Sequence, residues 1–118
     1  MATEITRPET HESLAATVST ETIPGREIVK ALGIARGNTV KARNVGRDIT
    51  QGIRNLAGGE LTAYSTLLSQ ARDEAIERME AHAVEMGGDA VVNVRMETSE
   101  ITKGASEVIA YGTAVRLD

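Results

Sequence analysis

Between residues 60 and 86 apolar side chains return at every third or fourth position. They are Leu61, Tyr64, Leu68, Ala71, Ala75, Met79 and Ala83, with Ile76 and Met86 at the margins of the stripe. That spacing predicts an amphipathic helix with one apolar side. Its opposite side carries Arg72, Asp73, Glu77 and Glu80, and Glu74 stands four residues before Arg78 in the order that favours an ion pair. Gly87 and Gly88 are expected to end the helix. At ~1.5 Å per residue it is about 40 Å long. A small sheet does not cover that length, so part of the helix is expected to touch another subunit.

The remaining patterns predict strands. "TVSTET", residues 17–22, reads as a short strand, followed by a turn in "IPGRE" with Pro24 and Gly25 at its centre. "EIVKALGIARGNTVKARNV" is rich in β-branched residues and interrupted by Gly33 and Gly37, which predicts a bent or bulged strand. A helix over residues 27–34 is the competing reading. In "GRDITQGIRNLAGG", Asp48 is placed to cap a short helix whose apolar face is Ile49, Ile53 and Leu56. In "DAVVNVRMET", Ala90, Val92, Val94 and Met96 alternate with Val91, Asn93, Arg95 and Glu97, predicting a strand with one buried face. "SEITKGAS" is expected to be a loop. The last strand, "EVIAYGTAVRL", is apolar on both sides: Ile109, Tyr111, Val115 and Leu117 on one, Val108, Ala110, Gly112 and Ala114 on the other. One face is expected to meet the long helix. The small-residue face is expected to be covered by a neighbouring subunit.

Composition narrows the picture. The chain has 118 residues, enough for one domain with a modest core. Residues 1–16 are polar, unpatterned and contain Pro8, so they are read as a flexible tail before a folded domain over 17–118. Aromatic residues are only 2% of the chain, with no Phe and no Trp, so Val, Ile, Leu, Ala and Met must form the core. A net charge of −4 repels a phosphate backbone on average, which argues against nucleic acid as a partner. There is no cysteine, which excludes disulfides, thiolate nucleophiles and Cys-based metal sites. No apolar run approaches the roughly 20 residues that span a bilayer, and no secretory leader is visible. A cytoplasmic protein is the expectation.

Three stretches in order carry a resemblance: "TIPGREIVKALGIARGNTV", then "DITQGIRNLAGGELTAYSTLLSQARDEAIERMEAHAVEMGGDAVVNV", then "VIAYGTAV". Together they resemble the YbjQ-like family of small bacterial and archaeal proteins over residues 17–118. Gly88 departs from the family pattern, which usually has Ala there. The resemblance implies an α+β fold in which an antiparallel sheet packs on a long helix, assembled as a ring-like homopentamer. The family is labelled a heavy-metal-binding domain, and its activity is not established.

Candidate chemistry is sparse. Gly58 and Gly59 are expected to reverse the chain before the long helix, with Tyr64 one turn in and Arg54 across the turn. One reading packs Tyr64 inward, its hydroxyl tied to a backbone or arginine partner. The other makes Arg54, Tyr64 and Arg72 the lining of a pocket for a small anionic ligand at a subunit boundary. Heavy metals prefer thiolate, which is absent, and His82 with Glu85 supplies no second histidine at helical spacing. Hard cations held by Asp or Glu around a ring stay open. His11 is read as a solvated tail residue rather than a ligand or pH sensor. No nucleophile, base and carboxylate set is visible, and neither phosphate-loop spacing occurs. An enzyme is therefore not expected, no cofactor is implied, and the partner expected is the chain itself. Two functions compete: an oligomeric binding module with sites at subunit boundaries, and a metal-dependent activity.

Overall fold

The computed structural model describes residues 14–42 and 59–118. The elements are β1 (Ala16–Thr17), β2 (Ile28–Ala42), α1 (Gly59–Glu85), β3 (Ala90–Thr102) and β4 (Ala105–Leu117). The strands form one sheet in the order β1-β3-β4-β2. The fold is α+β, as expected, but the sheet is mixed: β2 and β3 run antiparallel to β4, while β1 pairs parallel with β3. "TVSTET" yields a strand only at Thr17, and bends occupy residues 19–22. The turn at Pro24 and Gly25 forms as expected, closed by a bond from the Arg26 N–H to the Ile23 carbonyl at 3.1 Å. Leu14 packs against the core and the Ala15 N–H bonds the Asp89 carbonyl at 2.7 Å. The folded part thus starts before residue 17.

Residues 27–34 belong to a strand, not to the competing helix, from Ile28 onward. The register of β2 against β4 shifts between Ala31 and Gly33, so the irregularity expected at Gly33 is present. Gly37 has a different role: it sits under the helix. The small side chains Ala71, Ala75 and Ala83 on α1 face Ala35 on β2 and Ala110 and Ala114 on β4, with Met79 and Val108 filling the space between. Small residues on both sides let helix and sheet backbones approach closely.

That interface corrects the assignment of faces on β4. The small-residue side, Val108, Ala110 and Ala114, meets the helix of its own chain rather than a neighbour. The opposite side is partly covered by the chain's own start: Val115 and Leu117, with Ala90 and Val92, pack against Ala16, Val18, Ile23 and Ile28.

Alternation along β3 is also reset. Asn93 takes φ 57, and the register against β4 breaks between Val92 and Arg95. Such a bulge flips the faces beyond it. Val91 and Val94 therefore both serve the helix side, and Arg95 and Glu97 turn to the other. "SEITKGAS" is not a loop. β3 runs on to Thr102, pairs with Ala105, and turns through Lys103 and Gly104 alone.

α1 ends at the expected glycines. Gly87 at φ 89 donates to the Val84 carbonyl and the Gly88 N–H reaches back to the Ala83 carbonyl, both at 2.9 Å. This is a Schellman stop. Glu74 and Arg78 do not pair with each other: Glu74 takes Lys41 at 3.1 Å, and Arg78 donates to the Asn38 carbonyl at 2.7 Å. Gly59 is helical rather than a reversing residue. The short helix at Asp48, Ile49, Ile53 and Leu56, Gly58, His11 and the side chain of Leu61 lie outside the described residues.

Candidate functional site

The residues singled out for an anionic pocket separate. Tyr64 is half-buried near the start of α1, and its hydroxyl shares a hydrogen bond at 3.0 Å with the Ser106 hydroxyl at the start of β4. Ser106 is a buried polar group, and this bond gives its hydroxyl a partner. Arg72 is exposed, two turns further on, about 12 Å along the axis. Arg54 lies outside the described residues. Within one chain, Tyr64 and Arg72 are not brought together.

The polar residues that do converge are on β2 and the helix face over it. β2 is an outer strand of the sheet. Along it, α1 supplies a row of contacts at four-residue intervals: Glu74 to Lys41, Arg78 to the Asn38 carbonyl, and the His82 Nδ1 accepting the Arg36 N–H at 3.1 Å. Thr39 adds a buried bond from its hydroxyl to the Ala71 carbonyl at 3.1 Å. His82 and Arg78 thus occupy backbone groups that an outer strand would otherwise leave open. His82, in sequence a lone helical histidine, thus has a structural partner in the Arg36 N–H.

A second polar set lies on the sheet face away from the helix. Register places Arg36 and Arg95 on either side of Tyr111. One step along the strands, the Tyr111 hydroxyl donates to Glu97 at 3.2 Å and the Asn38 amide donates to Glu107 at 2.9 Å. Arg95 also donates to the Ser19 carbonyl at 3.1 Å. Single-sequence reading misses this set because the Asn93 bulge moves Arg95 and Glu97 onto this face. The signal available was Tyr111, the second of two tyrosines, in a strand apolar on both sides. The set presents fixed donors and acceptors and one ring on this face.

Among the described residues, no group of three or more His, Asp or Glu could hold a metal ion. No described helix is long and apolar enough to cross a membrane.

Comparison with known proteins gives consistent matches. A family model described as "Putative heavy-metal-binding" matches residues 15–118. A UPF0145 protein of Natronomonas pharaonis is 79% identical over 101 residues, covering 86% of this chain and 97% of that protein. One from Halobacterium salinarum is 72% identical over 100 residues, covering 85% and 96%. One from Methanosarcina acetivorans is 54% identical over 99 residues, covering 84% and 93%. Among solved structures, a protein of unknown function of the DUF74 family from Pediococcus pentosaceus superposes with a TM-score of 0.60. It is 16% identical, and the match covers 86% of this chain and 96% of that chain, so the likeness is one of fold.

The metal in the family description does not fit the donors described. Soft metals seek thiolate, the chain has no cysteine, and the His82 Nδ1 is already an acceptor for Arg36. The matches extend over nearly the whole described fold. On that footing, the chain belongs to the YbjQ family of UPF0145 proteins.

Proposed function

We propose that this protein works as a homo-oligomeric binding module whose ligand sites lie at the boundaries between subunits. The observation that carries the reading is the state of β3. From Arg95 to Thr102 every residue is exposed, and β1 and the backbone bonds of residues 18–20 reach no further along it than Val94. A strand of eight residues that has no cover or outer-edge partner among the described residues is a natural surface for another copy. Met96 and Ile101 add apolar surface there, at 41% and 53% exposure. The resemblance in sequence supports a ring of five as the form of that assembly. In such a ring Arg72 of one chain can meet Tyr64 of the next around a small anion, an approach that the two residues do not make within one chain.

Light scattering and native mass spectrometry on the full chain test the assembly, with a five-chain mass expected and a monomer at micromolar concentration overturning it. Thermal shift against phosphate, nucleotides, flavins and divalent metals tests the ligand class. Stabilisation by an anion that Arg72→Ala removes, with the oligomer intact, is the expected result. Stabilisation by a transition metal that a chelator reverses would favour metal-dependent activity instead.

A further inference from the structure

Two backbone groups on the outer edge of β2 are held by α1 side chains one turn apart, and the two holds differ chemically. Arg78 donates to the Asn38 carbonyl at 2.7 Å, and a guanidinium is a donor at every working pH. His82 accepts the Arg36 N–H on Nδ1 at 3.1 Å, which requires a neutral ring with its proton on Nε2. A second proton on the ring goes to Nδ1. Two N–H groups then face each other, and the contact opens.

We propose that His82 is a proton-operated latch on the β2 edge: the neutral ring closes the edge at Arg36, and the imidazolium releases it. The ring is half-buried, so it does not simply swing into bulk water and leave the strand unaffected. On α1 its charged neighbours are Arg78 one turn before and Glu85 three residues on, with Glu74 a further turn back, engaged by Lys41. From β2 come Lys41 and Arg36. The Arg36 side chain belongs to the far face, since Ala35 and Gly37 on either side are buried on the helix side. Release frees the Arg36 N–H for another acceptor while Arg78 keeps its hold on Asn38. The edge thus opens at one point and not along its length.

NMR on the full chain reads both halves of the device. Ring nitrogen shifts report the tautomer and the second proton, and amide exchange reports the Arg36 N–H. Protection at Arg36, corrected for intrinsic exchange, is expected to fall about three- to tenfold as the ring takes its second proton. In His82→Gln, whose side-chain carbonyl accepts at any pH, the same protection is expected to stay flat. Constant Arg36 protection through the ring's titration in the wild type would overturn the proposal. So would a neutral ring carrying its proton on Nδ1. If His82→Gln does not fold, the wild-type titration decides alone.

Discussion

Gly37 lies directly against the backbone of Met79. A Cβ at that position would overlap the Met79 nitrogen and stand 2.5 Å from the Ala75 carbonyl oxygen and 2.6 Å from the Arg78 Cβ. The helix can rest on β2 at this depth only because residue 37 has no side chain. Gly37→Ala must lift α1 from the sheet beside the fully buried Met79. The expected cost is about 3 kcal/mol, in the range of overpacked cores, read as a lower denaturation midpoint at unchanged slope.

Met79 itself is the largest fully buried side chain among the described residues. Met79→Ala leaves a cavity between Ala35, Ala75 and Val108 that backbones this closely packed do not collapse to fill. A loss of about 3 kcal/mol is expected from chemical denaturation. A loss under about 1 kcal/mol would mean that the helix settles into the space, against the rigid interface described.

The Tyr64 and Ser106 hydroxyls form one unit, so their removal is not additive. Tyr64→Phe and Ser106→Ala are each expected to cost about 1 kcal/mol. The double variant should cost about the same as either one, which a double-mutant cycle measures. If Tyr64 instead serves a ligand, Tyr64→Phe leaves stability unchanged and alters the thermal shift given by an anion.

Helix termination separates the two glycines of the stop. Gly87 holds φ 89, so Gly87→Ala strains the backbone by about 1 kcal/mol. Gly88 has ordinary backbone geometry, and a Cβ there would stand 3.1 Å from the Ala83 carbonyl oxygen and 3.4 Å from the Ala114 Cβ. Gly88→Ala is expected to cost less than half as much. Thermal melts of the two variants in parallel give the comparison.

Core and assembly variants should part company. Ala110 is fully buried under α1, so Ala110→Glu buries an unpaired charge and unfolds the chain, lost circular dichroism being the readout. Met96→Glu with Ile101→Lys changes only exposed positions of β3. That pair should leave the helix signal and cooperative melt of the subunit in place while light scattering records smaller particles. Unchanged particle mass would place the subunit boundary away from β3.

The long helix, its glycine stop and the strand character of β2 were legible because each is a local pattern. The 3.6-residue stripe ending at Ala83, the Gly87–Gly88 pair and the β-branched run of β2 need no partner to be recognised. The α+β class followed from them. What a one-dimensional pattern does not contain is which of two apolar faces meets the helix. On β4 both Val108, Ala110, Ala114 and Ile109, Tyr111, Val115 qualify by hydropathy. Only the close fit of Ala71, Ala75 and Ala83 selects the smaller set, because depth of approach depends on both surfaces at once. The parallel β1 and the Asn93 bulge are likewise agreements between distant segments, with Val18 and Thr20 bonding across to Val94 and Asn93. The same holds for His82, which in sequence is a lone helical histidine. Its meaning comes from the Arg36 N–H, 46 residues away, whose edge position exists only once the sheet has formed.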